Sequence, residues 1–147
     1  MISERKADNV MINVCDIHVM KPLLAEHGFH FSKAKGQNFL TQRWVPESIA
    51  LESGVDETVG VLEIGPGIGP LTQQLCLRAK KVCAVELDTR LEPILKQTVG
   101  AFPNLEILWG DILKQDILIF PEASETAERG CIGLSCPVPA QCFKMGN

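Results

Sequence analysis

The feature that most constrains this chain is the run Val61-Leu62-Glu63-Ile64-Gly65-Pro66-Gly67-Ile68-Gly69-Pro70, followed by the apolar run Val82-Cys83-Ala84-Val85 and then Glu86. A short apolar run enters a glycine-rich turn, the turn enters a helix, and a second apolar run ends on an acid. A chain in this order folds as strand, turn, helix and parallel strand. It brings the glycines and the acid together at the carboxyl end of a sheet. Gly65, Gly67 and Gly69 let the backbone turn tightly and approach a ligand with no Cβ in the way. Pro70 suits the first turn of a helix, where its missing N–H leaves no bond unmade. Glu86 is placed to accept hydrogen bonds from a ribose diol.

The details separate one nucleoside cofactor from another. A dinucleotide fingerprint runs G-x-G-x-x-G. Here Gly65 and Gly67 are followed by Gly69, and Pro70 stands where the last glycine of that pattern would fall. Glu63 lies two residues before the first glycine. A carboxylate there repels a pyrophosphate and suits a ligand bearing an ammonium and a sulfonium, of which S-adenosylmethionine is one. The loop by itself also reads as a plain strand-to-helix turn. Glu63, Glu86 and the later Gly110-Asp111 in register favour the cofactor. A nicotinamide-dependent oxidoreductase is a competing reading, and Glu63 and the glycine spacing count against it.

Along the chain, residues 14–27 read as a helix with Ile17, Met20, Leu23 and Leu24 on one stripe, ended by Gly28. Residues 28–38 read as a loop, and residues 42–52 as a second helix with Pro46 early, Ile49 and Leu51 apolar, and Gly54 as its stop. Strands are expected near 59–64, 81–86 and 105–109, and helices from Pro70 to about Ala79 and from an Asp88 cap to about Val99. Pro103-Asn104 marks a turn. Strands alternating with helices predict an α/β fold with a parallel sheet covered on both faces. After Ile119 the pattern changes: residues 131–139 carry at most one weak strand. A doubly wound sheet continues further, so the domain reads as incomplete. The expected organisation is an N-terminal helical extension over 1–30, a partial Rossmann-like cofactor domain over 31–118, and a divergent tail over 119–147.

Bulk properties narrow the function. A length of 147 residues suits one domain. No apolar run approaches the roughly 20 residues needed to span a membrane. Met1 to Lys6 has no apolar signal core behind it, so a cytoplasmic protein is expected. Among six cysteines there is no C-x-x-C pair and no cysteine–histidine cluster, and His18, His27 and His30 lack ligand spacing. Reduced thiols and no metal site are expected. The net charge of −4 argues against a general nucleic-acid binder. Residues 28–43 nevertheless carry Lys33, Lys35 and Arg43 and no acid. That stretch reads either as a solvated loop or as a local basic patch for a polyanion.

The run Phe31-Ser32-Lys33-Ala34-Lys35-Gly36-Gln37-Asn38-Phe39-Leu40 resembles the N-terminal signature of the small-subunit ribosomal RNA adenine N6,N6-dimethyltransferases of the bacterial branch. There Gly-Gln-Asn-Phe-Leu precedes Glu-Ile-Gly-Pro-Gly by about this distance. Lys80-Lys81-Val82 leading to Ala84-Val85-Glu86, then Asp88, Arg90 and Gly110-Asp111, extend the likeness over residues 14–118. The resemblance implies a class I S-adenosylmethionine-dependent methyltransferase fold. It also implies methyl transfer to the exocyclic N6 of two adjacent adenosines of small-subunit ribosomal RNA, with the small (30S-type) subunit as partner. Carried over by position, Asn38 and Leu40 would close over the cofactor. Gly65 would meet its methionine part through the backbone, Glu86 would hold the ribose, and Asp111 would accept from the adenine amino group. Gln37, Glu63 and Gly67 would line the pocket. On the residues alone, Asn38 also reads as a helix cap, Leu40 as core, Asp111 as a turn cap, and Phe29, Phe31 and Phe39 as core rather than base-stacking rings.

The pattern also departs from the family. The N6 lone pair of adenine is delocalised and a poor nucleophile. Family members grip that amino group with an Asn-Leu-Pro-Tyr segment after the fourth strand, on a base presented unstacked, so that reaction depends on positioning. This sequence contains no tyrosine, and by spacing from Asp111 the motif falls near Gly133-Leu134-Ser135-Cys136, where only Leu134 agrees. The helical C-terminal domain of the family has no counterpart. Two expectations follow: a truncated and impaired member of this enzyme family, or a non-catalytic remnant that binds S-adenosylmethionine or RNA. An unfinished sheet would leave an exposed edge strand.

Overall fold

A computed structural model describes residues 11–29, 42–115 and the strand 132–135. Helix α1 spans Ile17–Glu26 and α2 spans Trp44–Glu52. Strand β1 (Gly60–Ile64), α3 (Pro70–Cys76) and β2 (Lys81–Glu86) follow. A 3-10 turn at Thr89–Leu91 leads into α4 (Glu92–Thr98), and β3 (Leu105–Trp109) into a second 3-10 turn at Ile112–Lys114. Strand β4 is Ile132–Ser135, within the stretch where the sequence allows one weak strand.

The sheet has the order β3-β2-β1-β4, and every pairing is parallel. From β1 the chain moves outward to β2 and β3, then returns to place β4 on the other side of β1. That reversal is the topological switch point of a Rossmann-like sheet, the crevice where such folds bind ligands. The glycine turn leaves β1 at this point.

Register fixes which side chains share a face. Val61 lies beside Val82 and Leu105, Glu63 beside Ala84 and Ile107, and Glu86 beside Trp109. The described helices pack on this face. Leu71 and Leu75 of α3 and Ala50 of α2 cluster with Val61 and Val82. Met20, Leu23 and Leu24 of α1 cluster with Ile94 and Leu95 of α4, against Leu105, Ile107 and Trp109. Glu63 therefore sits on an apolar face, under α3.

Several element ends differ from the pattern in the sequence. Helix α1 opens at Ile17, because the Asp16 carboxylate accepts from the His18 N–H at 2.8 Å and caps it there. Ile17 is 37% exposed, so it falls outside the buried stripe formed by Met20, Leu23 and Leu24, and the apolar Leu51 of α2 is exposed. Helix α3 stops at Cys76, three residues short of Ala79. The Asn104 amide donates to the carbonyls of Cys76 and Ala79 at 2.9 and 3.0 Å. These bonds satisfy carbonyls that a longer helix would use and tie the end of α3 to the turn before β3. Asp88 caps the 3-10 turn through the Arg90 N–H, and Pro93 lies in the first turn of α4.

Cys15, Cys76 and Cys83 are free thiols. Burial pushes Cys76 and Cys83 up to about 12, which keeps them protonated and inert. Among the described residues no helix is long and apolar enough to cross a membrane. None of their His, Cys, Asp and Glu side chains group as a metal site.

Candidate functional site

The site begins with the turn after β1. Gly65, Gly67 and Gly69 all take left-handed backbone angles, with φ of +73°, +60° and +96°. An L side chain is strained there, which explains three glycines in five residues. At Gly69 space is short as well. A Cβ would lie 2.8 Å from Val99 Cγ1 and 3.2 Å from Thr98 Oγ1, so this glycine lets the start of α3 rest on the end of α4.

Glu86 closes the other side. Its carboxylate accepts from the Gly67 N–H at 3.2 Å and from the Asp88 N–H at 2.9 Å. The acid at the end of β2 therefore holds the glycine turn directly, across nineteen residues of sequence. Glu86 is 7% exposed. Burial raises its pKa, the two backbone bonds pull it back, and the Asp88 charge adds to the rise. The Gly110 N–H donates to the Glu86 carbonyl at 2.8 Å, which extends the β2–β3 ladder and brings Asp111 to the same end of the sheet. Asp111 Oδ1 accepts from the Leu113 N–H at 2.9 Å. The turn-cap role suggested by the sequence is thus realised, and it engages one carboxylate oxygen.

Glu63 is wholly buried. Thr72 Oγ1 donates to its Oε2 at 2.7 Å, and its Oε1 has no hydrogen-bond partner among the described residues. Burial pushes this carboxyl up to about 7, the Thr72 bond opposes that rise, and the Glu86 charge adds to it. A buried carboxylate oxygen without a donor fits an incoming N–H cation and does not fit a phosphate. These carboxylate acceptors suit the ammonium of S-adenosylmethionine on one side and a ribose on the other.

The structure thus brings Glu63, Gly65, Gly67, Glu86 and Asp111 to one end of the sheet. Gln37, Asn38 and Leu40 lie outside the described residues, as do Lys33, Lys35, Phe31 and Phe39. Phe29 packs on the α1–α4 cluster, with the Arg90 guanidinium 5.1 Å from its ring centre, so its role is in packing. Arg43, exposed on the surface, is bonded to Glu47 at 2.7 Å. His27 meets the Gln97 amide at 2.9 Å on the surface. Two residues escaped the sequence reading. Thr72 bonds Glu63, and Gln73 Nε2 donates to the carbonyls of Ile12 and Thr98 at 2.8 and 3.0 Å, binding the N-terminal segment to α3. For Thr72 a signal existed: an inward-facing acid needs a donor, and Thr72 is the one hydroxyl in α3.

The sequence model of the family described as "Ribosomal RNA adenine dimethylase" matches residues 28–130. A curated relative, the ribosomal RNA small subunit methyltransferase A of Geobacillus thermodenitrificans, is 46% identical over 111 residues, covering 74% of this chain and 38% of the relative. The protein of that name from Bacillus licheniformis is 48% identical over 97 residues, covering 66% and 33%. The chain therefore spans between 33% and 38% of the length of these relatives. Among solved structures, the 23S rRNA methyltransferase ErmE matches with a TM-score of 0.48 and 35% identity over 51% of this chain and 31% of that one. A dimethyladenosine transferase from Plasmodium falciparum matches with a TM-score of 0.44 and 28% identity over 51% and 28%.

Proposed function

We start from the fact that this chain belongs to the ribosomal RNA adenine dimethylase family, and we propose that it forms the S-adenosylmethionine-holding part of an rRNA adenine N6,N6-dimethyltransferase. The observation that carries this reading is the Glu86 carboxylate at the end of β2, bonded to the Gly67 N–H of the glycine turn at the sheet's switch point. In this reading Glu86 accepts from the ribose hydroxyls, and Gly65 and Gly67 keep the backbone clear for close approach. Glu63 favours the ligand's ammonium, and the second Asp111 oxygen accepts from the adenine amino group. Gln37, Asn38 and Leu40 line the pocket from the N-terminal segment. When bound, S-adenosylmethionine supplies an electrophilic methyl group. The chain's own contribution is to orient it and to shield it from water.

The acceptor class is the exocyclic amino group of adenosine in small-subunit ribosomal RNA, met on the small subunit in the cytoplasm. The grip on the target adenine falls to no residue identified in this chain, whose 147 residues include no tyrosine and no Asn-Leu-Pro-Tyr run. A competition experiment tests the reading. Labelled S-adenosylmethionine bound to the chain should be displaced by S-adenosylhomocysteine at far lower concentration than by NAD. Displacement by NAD at the lower concentration would revive the oxidoreductase and end this proposal.

A further inference from the structure

Glu63 and Thr72 share one hydrogen bond in a wholly buried setting. Register puts Glu63 on the inward face of β1, beside Ala84, with α3 above it. An interior carboxylate is costly unless a charge or several donors compensate it. Among the described residues, Thr72 gives a single neutral bond to Oε2, and Oε1 receives none. Among the described residues, the titratable groups that act with it are Glu86 from β2 and the Cys76 thiol from α3, and neither brings a positive charge. The pair is therefore built as half of an interaction. One oxygen is anchored in a fixed orientation and the other awaits a cationic donor.

We propose that Thr72 is a positioning residue that fixes the Glu63 carboxyl so that its second oxygen receives the ammonium group of the ligand, and that ligand binding ionises Glu63 and releases one proton. This rests on the cofactor reading given above. The balance is simple. A neutral carboxylic acid and an ammonium-bearing ligand become a carboxylate–ammonium pair, and the acid's proton leaves to solvent. No bond to carbon or sulfur changes. Because burial pushes this carboxyl up to about 7, the ligand displaces a proton at low pH and finds an ionised partner at high pH.

The test compares two ligands on the intact chain. S-Adenosylhomocysteine carries the ammonium, and methylthioadenosine lacks it. Calorimetry in buffers of different ionisation enthalpy should show proton release with the first ligand and none with the second. Affinity for S-adenosylhomocysteine should rise about tenfold between about pH 6 and about pH 8, while that for methylthioadenosine stays flat. Thr72→Val should weaken S-adenosylhomocysteine by about tenfold or more at the higher pH and leave methylthioadenosine unchanged. Thr72→Ser, which keeps the hydroxyl, should restore both the affinity and the pH profile. A flat S-adenosylhomocysteine profile without proton release in the native sequence would overturn the proposal. So would a Thr72→Val effect equal for both ligands. If neither ligand binds the native, folded chain, the cofactor reading itself falls and this inference falls with it.

Discussion

Glu86 does two jobs at the scale of a single residue. It anchors the glycine turn through Gly67, and in the proposed complex it accepts from a ribose. Replacing it by alanine should weaken S-adenosylhomocysteine binding by about 1–3 kcal/mol, the range for hydrogen bonds to a charged acceptor. Equilibrium dialysis of the variant checks this, and unchanged affinity would remove Glu86 from the site. Glu63 carries the opposite balance: it is buried at the expense of stability, and in the proposed complex that burial serves binding. Its carboxyl titrates near 7 in the folded chain against an ordinary value of 4.5. Between those two values the folded state holds a proton that the unfolded state has lost, so stability is greatest below the lower value and declines as pH rises to the upper one. The loss is of order 3 kcal/mol. Glu63→Gln, which cannot ionise, should therefore be more stable than the native sequence at about pH 8, and the advantage should shrink toward about pH 5. Denaturant midpoints at both pH values measure it, and a difference independent of pH would contradict the account. Both acids were legible in the sequence, because each ends or nearly ends an apolar run beside glycines. Thr72 was legible only through Glu63: an inward-facing acid needs a donor and α3 offers one hydroxyl, but that pairing depends on which strand face α3 covers.

At the scale of elements, the strands were legible to within a residue. Gly60–Ile64, Lys81–Glu86 and Leu105–Trp109 are short apolar runs bounded by turn residues. Helix ends were less so, since they depend on partners distant in sequence. Asn104 reads as half of a Pro-Asn turn, yet its amide fixes where α3 stops by bonding the carbonyls of Cys76 and Ala79. Asn104→Ala would leave those carbonyls without that donor and should destabilise the fold by about 1–3 kcal/mol, read from the thermal or denaturant midpoint. A change within experimental error would show that water or neighbouring backbone serves them as well. Ile17 lies outside the covered face of α1 for a related reason: spacing identifies a face, but which positions are covered depends on what packs there.

For the whole molecule, the strand order gives the separate observations one meaning. The strand order sets the carboxyl ends of β1, β2 and β3 side by side along one edge of the parallel sheet, next to the switch point. Glu63, the glycine turn, Glu86 and Asp111 are the residues found at those ends. The fold class and the meeting of these residues at one end of the sheet were legible because strand–turn–helix chemistry is local in sequence. The pairing of β4 with β1 was not, because Ile132–Ser135 carries only a weak strand pattern and its place depends on long-range register. The central claim is that these residues form a working S-adenosylmethionine pocket. The most direct measurement is calorimetric titration of the purified chain with S-adenosylhomocysteine, alongside a check by circular dichroism that the chain is folded. Saturable micromolar binding of one ligand per chain is the predicted result. A folded chain that takes up no ligand would contradict it.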